Sequence, residues 1–426
     1  MQDPWASGPS ADQLIVRPSG PLSGRVQIGG AKNSVLKLMV ASVLAEGTLV
    51  LHNVPDIVDV TLMAELLTSM GATVERDRST LTIHQPADLE PEAPYELVER
   101  MRASIEVLGP LLTRFGRARV ALPGGDDFGS RPIDFHLHSL QELGATFTQA
   151  HGYIEGRADR LLGAPLLLEY PSVGATDNAL MAAVLAKGET VIDNAAREPE
   201  VADLASFLNR MGARVIGAGS STIRVEGVEK LSPVEHTVVP DRVEAATFLC
   251  ALAVCGGEIV LDGARAAHMD MLIAKLAEMG LRVSPESDGI WAMASGRMRA
   301  VDVVTLPYPG VATDYKPLLV ATLSLADGVG IVTENLFAGR FRYIDELVRM
   351  GADIRTDGHH AVVHGQEWLS GAPVKAPDIR AGAALVIAAL RAEGQTVVAG
   401  AGHIDRGYER FVEKLRNLGA DITRAG

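Results

Sequence analysis

One signature recurs six times along this 426-residue chain: the end of a helix, a glycine, and the start of an alternating strand. It reads SMGATV at Gly71, ELGATF at Gly144, RMGARV at Gly212, EMGLRV at Gly280, RMGADI at Gly351 and NLGADI at Gly419, so successive glycines lie 68 to 73 residues apart. A fixed long period means that one supersecondary unit is reused. Each glycine follows helical periodicity, as in DVTLMAELLTSM, and precedes alternating apolar and polar residues. That is a helix C-cap glycine feeding a β-strand, glycine supplying the positive φ that other residues adopt only at a cost.

Upstream of these caps sits a second helix that is apolar nearly all round, as in NSVLKLMVASVLAEG, TDNALMAAVLAKG, EAATFLCALAVCGG and GAALVIAALRAEG. A helix without a polar face belongs in the interior, whereas the amphipathic helix before the glycine faces solvent. Strands such as TLVLHNV, ETVIDNA and EIVLDGA join the two. Each unit therefore reads helix, strand, helix, then two short strands. Six such units are too few and too long for a solenoid, and none is a polar capping repeat. The pattern predicts two globular groups of three, with buried helices inside, sheets outside and a cleft between the groups. Chain length likewise favours more than one domain.

Acids outnumber lysines and arginines by 53 to 39, a net charge of -14, which argues against nucleic-acid binding. Cys250 and Cys255 match no metal spacing and read as reduced packing residues, which points to the cytoplasm. No apolar run is long enough for a membrane span, and no signal peptide is visible. Residues 1–13, beginning MQDPWASGPSAD, read as a disordered leader. Oligomeric state is not written in the sequence, and a monomer is the default expectation.

The chemistry-bearing residues gather where the buried helices begin. These starts are GAKNS (Lys32, Asn33), RMRAS (Arg102), SVGATDN (Ser172, Val173, Gly174), PDRVE (Asp241, Arg242), ATDYK (Asp314) and PDIRA (Asp378, Arg380). Turns before the amphipathic helices carry Arg131, Arg197, Arg265, Arg340 and Arg406, and the first repeat has NVPDIVDV there. Helix N-termini present free amides and partial positive charge, so a cation there is unfavourable unless something negative meets it. One arginine alone is explained by a neighbouring acid, as Arg197 is in AREPE. The whole set predicts a small phosphorylated or carboxylated ligand. His136 and His138 have no third partner nearby, and GGDDFG lacks a following GK[ST], so neither a metal site nor a P-loop is expected.

In order along the chain, GGAKNS, NVPDIVDV, MRASI, LPGGDDFGSRPIDFH, SVGAT, NAAREPE, PDRVE, TD, DIRAG and HIDRGYER resemble the UDP-N-acetylglucosamine enolpyruvyl transferases. The resemblance covers essentially everything beyond residue 13. It implies an α/β fold, a two-domain inside-out α/β barrel of six βαβαββ repeats, three per domain. The first domain would run over residues 31–239, and the second would combine 14–30 with 240–426. It also implies transfer of enolpyruvate from phosphoenolpyruvate to the 3′-hydroxyl of UDP-N-acetylglucosamine, the first committed step of peptidoglycan synthesis, without a cofactor.

Carried over by position, the resemblance gives the phosphoenolpyruvate phosphate to Lys32, Arg131 and Arg406. Its carboxylate side falls to Arg340 and Arg380, and Asn33 meets the reacting centre. Arg102, the stretch Arg131, Pro132, Ile133, Asp134 and Phe135, and the turn Ser172, Val173 and Gly174 line the nucleotide-sugar site. Asp314 meets the attacking hydroxyl, with Leu336 beside the sugar. Glu198, Glu200, Asp241 and Asp378 occupy family positions at the cleft. Asp126 stands where most of the family has a cysteine, Val58 and Tyr170 where many have lysines, and Lys316 where glutamine is usual.

The reaction needs a proton donor for the methylene carbon and a base for the hydroxyl. Asp314 is the expected base and Asp126 the expected donor, its proton shared with Asp127 on a closing loop. The same residues also suit a paralogue acting on another nucleotide or phosphorylated acceptor, or a non-catalytic nucleotide-sugar-binding relative. Retention of Lys32, Asn33, Asp314 and the arginine set favours an enzyme.

Overall fold

The computed structural model describes residues 12–123, 133–337 and 339–425. All six cap glycines hold positive φ, namely 112° at Gly71, 99° at Gly144, 106° at Gly212, 115° at Gly280, 89° at Gly351 and 99° at Gly419. The side chains just before them plug the interior: Met70, Leu143, Met211, Met279, Met350 and Leu418 are each at most 1% exposed. The repeat is thus written in backbone conformation as well as in sequence.

The apolar helices are interior as their composition requires. Every residue of Arg242–Cys255, Lys316–Leu323 and Ile379–Ala389 is buried. Lys32–Ala41 is buried from Ser34 onward and Val173–Ala183 from Ala175 onward. In the second repeat the helix is split into a 3-10 turn, Arg102–Val107, and a helix, Leu108–Phe115. Pro110 lacks an amide hydrogen and crowds the preceding turn, which accounts for the break. The outer helices bury one face only, as Pro199–Arg210 does with Val201, Leu204, Phe207 and Leu208.

The chain forms two compact units, one from Gly30 to Val239 and the other from the segment ending at Gly29 together with Pro240 onward. Each has its own hydrophobic core. Each unit also carries three four-stranded sheets of one plan: a parallel edge pair, then two antiparallel strands. In the first unit Glu235–Thr237, the last strand, lies parallel to Gly47–His52, with Glu235 opposite Val50. In the second, Leu22–Gln27 lies parallel to Gly257–Asp262. The sixth repeat is completed from afar. Gln13–Val16 inserts between Thr396–Ala399 and Ile422–Arg424, antiparallel to both.

One sequence expectation changes here. Gln13 opens a strand, and Asp12 accepts a 2.6 Å hydrogen bond from the Gly402 amide, so these two residues belong to the fold rather than to a leader. Residues 1–11 of that leader, and Asp126, Asp127, Arg131 and Pro132 of the loop, lie outside the described residues. Cys250 and Cys255 are buried free thiols, which burial pushes up to about 12. Among the described residues no helix is long and apolar enough to cross a membrane.

Candidate active site

In the unit that begins again at Pro240, three buried helix starts carry the predicted residues. Asp241 caps Arg242–Cys255, its Oδ1 accepting from the Val243 and Glu244 amides at 2.7 and 3.0 Å. Asp378 caps Ile379–Ala389 in the same way, with 2.8 and 2.9 Å bonds from Arg380 and Ala381. Both acids, expected at a cleft, serve their own helices as N-caps. Asp314 is different. It precedes Lys316–Leu323 and accepts from Arg340 Nη1 at 2.8 Å, with Arg380 Nε 3.5 Å from its other oxygen.

Those two arginine side chains are 4% exposed, whereas the Asp314 side chain keeps 27%. Burial opposes the charge on both, but Asp314 and Asp378 hold Arg340 above the ordinary range. Tyr408, Asp314 and Asp241 do the same for Arg380. Arg380 also lies 5.2 Å from the centre of the Tyr408 ring. Its Nη1 is buried with no hydrogen-bond partner among the described residues. A buried cationic donor left unmet is costly, so it marks a place for an anion. Leu336 is half-buried and tied through its amide to Glu334 Oε1 at 2.8 Å. Arg406 follows the short helix Ala401–Asp405 and is half-buried.

In the unit from Gly30 to Val239, Lys32 Nζ lies 3.0 Å from Asp59 Oδ2. Asp59 is buried in the first turn of Val58–Ser69. It comes from NVPDIVDV, the one turn of its kind without an arginine, and that absence was the only sequence signal for it. Asn33 is half-buried one residue further into the helix. Arg102 opens the 3-10 turn, where burial lowers its guanidinium against the pull of Glu106. Ser172 Oγ accepts from Ala175 N at 3.4 Å, capping Val173–Ala183. Ile133 and Phe135 are half-buried and Asp134 is exposed, at the start of Asp134–Glu142.

A side chain at Gly174 would have to displace its neighbours. A Cβ there would lie 2.8 Å from Glu106 Oε1 and 3.0 Å from His136 Nε2. Beneath it the interior is more polar than the apolar helix pattern predicts. Lys37 Nζ lies 3.1 Å from Glu106 Oε1 and 2.8 Å from Asp177 Oδ2, all three buried. Two carboxylates share one ammonium. Burial, with Asp177 adding to it against Lys37, lifts the Glu106 carboxyl to about 8, and burial likewise raises Asp177.

The folded chain therefore keeps a proton on Glu106 that the unfolded chain loses near its ordinary value of 4.5. Stability from this group is full below that value and declines as pH rises towards 8. Glu106→Gln imitates the protonated form. In urea denaturation it is expected to match the parent near pH 5 and to exceed it by on the order of 2 kcal/mol near pH 9. An unchanged slope in the variant would place the retained proton elsewhere.

The pseudo-symmetric arginines differ in exposure. Arg340 is buried on Asp314, whereas Arg197 and Arg265 are exposed, Arg197 donating only a long 3.5 Å bond to the Gly219 carbonyl. Among the described residues no group of three or more His, Cys, Asp or Glu is placed to hold a metal ion.

The EPSP synthase family, 3-phosphoshikimate 1-carboxyvinyltransferase, matches residues 16–415. The UDP-N-acetylglucosamine 1-carboxyvinyltransferase of Mycolicibacterium paratuberculosis is 52% identical over 414 residues, 97% of this chain and 99% of the relative. The protein of that name from Nocardia farcinica is 50% identical over 422 residues, 98% of this chain and 99% of its own length. Among solved structures, the enolpyruvyl transferase NikO from Streptomyces tendae superposes with a TM-score of 0.88 at 29% identity, over 96% of this chain and 98% of that one. EPSP synthase from Acinetobacter baumannii superposes at 0.74 with 20% identity, over 96% and 99%, and supports the fold alone.

Proposed function

This chain belongs to the EPSP synthase family of enolpyruvyl transferases, and from that premise we propose how its residues move enolpyruvate from phosphoenolpyruvate to the 3′-hydroxyl of UDP-N-acetylglucosamine. That transfer, the entry to peptidoglycan synthesis, is its activity. Relatives named for it are 50 to 52% identical over nearly the whole chain, against 29% for NikO. The acceptor follows the closer likeness.

Chemically, the methylene carbon gains a proton while the hydroxyl oxygen loses one and bonds to the neighbouring carbon. A tetrahedral adduct results. Phosphate then leaves with its C–O electron pair, and the methyl carbon gives up a proton to restore the double bond. We assign the phosphate to Lys32, Arg131 and Arg406, the carboxylate to Arg340 and Arg380, and contact with the reacting centre to Asn33. Arg102, residues 131–135 and Ser172 to Gly174 are assigned to the nucleotide sugar, with Leu336 beside the sugar ring. Asp314 takes the hydroxyl proton, and Asp126 donates to the methylene carbon.

One observation carries this reading: two buried guanidinium groups converge on the Asp314 carboxylate, and Arg380 Nη1 still has a donor to give. A substrate carboxylate satisfies that donor. By competing for the same arginines it also loosens their hold on Asp314, so phosphoenolpyruvate binding prepares the base. The free buried cysteines support a cytoplasmic setting, where thiols stay reduced.

Phosphate release from phosphoenolpyruvate, measured with a panel of acceptors, tests the assignment. Stoichiometric release is expected with UDP-N-acetylglucosamine and none with shikimate 3-phosphate. The reverse preference would move the chain to the other branch of its family.

A further inference from the structure

Lys316, where the resemblance expects glutamine, is enclosed completely, as is its partner Glu334: both side chains are 0% exposed and lie 2.9 Å apart. The ammonium also donates to the backbone carbonyl of Arg340 and lies 4.1 Å from the Phe341 ring centre. Glu334 is fully engaged in turn. Its Oε1 accepts from Thr305 Oγ1 at 2.7 Å and from the Leu336 and Phe337 amides at 2.8 and 3.2 Å. Its Oε2 accepts from Thr313 Oγ1 at 2.7 Å.

The Thr313 hydroxyl has spent its proton on Glu334, so its lone pairs face Arg340 Nη1, which donates to it at 3.2 Å. That same nitrogen donates to Asp314 Oδ1 at 2.8 Å. Polar contacts therefore link Lys316, Glu334, Thr313, Arg340 and Asp314 without a break, Glu334 accepting from both Lys316 and Thr313 and Arg340 donating to both Thr313 and Asp314. Glu334 also fastens the Leu336 segment through its amide. A buried pair of this kind is poor evidence for stability, because removing two charges from water offsets their attraction. Its geometric effect is plain: it leaves Asp314 and Arg340 one arrangement.

We propose that Lys316 is a positioning residue for the transfer reaction, holding Glu334 and the Arg340 carbonyl so that Thr313, Arg340 and Asp314 stay in register. It rests on the assignment of Asp314 and Arg340 made above. Lys316 touches no reacting atom. Its removal misplaces groups that do, and a displacement of about 1 Å at such groups costs on the order of a hundredfold in rate.

The test compares Lys316→Met, Lys316→Gln, Glu334→Gln and Asp314→Asn in the full-length enzyme by steady-state phosphate release, with thermal unfolding of each. Lys316→Met is expected to lose about thirtyfold or more in kcat with both KM values within about threefold. Lys316→Gln, which still donates to Glu334 and to the carbonyl, is expected to stay within about threefold of the parent. Wild-type kcat in Lys316→Met, or a loss confined to KM, overturns the proposal. If Lys316→Met does not fold, Glu334→Gln decides: a fall of about tenfold or more in kcat supports the proposal, and parental turnover overturns it. An inactive Asp314→Asn beside fully active Lys316 and Glu334 variants removes the positioning role alone. An active Asp314→Asn removes the base assignment beneath it.

Discussion

Asp314→Asn is expected to lower kcat by about 10²- to 10⁴-fold, the range that a positioned general base contributes. The amide oxygen of asparagine occupies the place of Oδ1, so the 2.8 Å bond from Arg340 survives and the fold is undisturbed. What is lost is the ability to take a proton. Removing the charge also weakens the competition for Arg340 and Arg380 that a substrate carboxylate meets, so KM for phosphoenolpyruvate is expected to stay level or fall. That combination separates loss of a base from loss of a binding group. Steady-state phosphate release against each substrate reads both parameters. A variant within threefold of the parent, or one with a raised KM and parental kcat, would assign the base elsewhere.

Asp126 carries the other large effect, although it lies outside the described residues and its case is chemical. Thiols are protonated near neutrality with a reference value of about 8.5, whereas aspartate starts near about 3.9. A donor at neutral pH needs a rise of roughly three units, about 4 kcal/mol, from desolvation and from the like charge of Asp127. Asp126→Asn is accordingly expected to abolish turnover. Asp126→Cys is expected to keep activity and to gain covalent inactivation by epoxides such as fosfomycin. The parent should resist such epoxides, because a carboxylate is a far poorer nucleophile than a thiolate. Intact-mass measurement after incubation shows the adduct or its absence. Rapid labelling of the parent at Asp126, or turnover by the asparagine variant, would transfer proton donation to another group.

Much of the architecture was legible before any coordinates. A cap glycine, the apolar residue before it and the alternation after it are neighbours in sequence, so their meaning survives without a partner. Gly71 and its five equivalents kept that meaning, as did the all-apolar helices. The helix starts were legible too, since free amides and N-cap acids are features of a single turn. The order of motifs then pointed to the enolpyruvyl transferases, which the relatives and the family match bear out. Asp241 and Asp378 show what a local reading leaves open: each caps its own helix through Oδ1, and each also raises a buried arginine, Arg380 and Arg340 respectively.

What the chain alone determined was the unit, its sixfold reuse and the positions where charge meets helix ends, because each depends on residues a few places apart. Only the tertiary structure decided which charge answers which: Lys32 to Asp59, Lys37 to Glu106 and Asp177, Lys316 to Glu334, and two arginines to Asp314. It also decided that Arg197 and Arg265 face water while Arg340 does not. The reason is physical. Pairing between side chains far apart in sequence depends on distances set by packed helices and sheets, and an ion pair's strength depends on how much water that packing excludes.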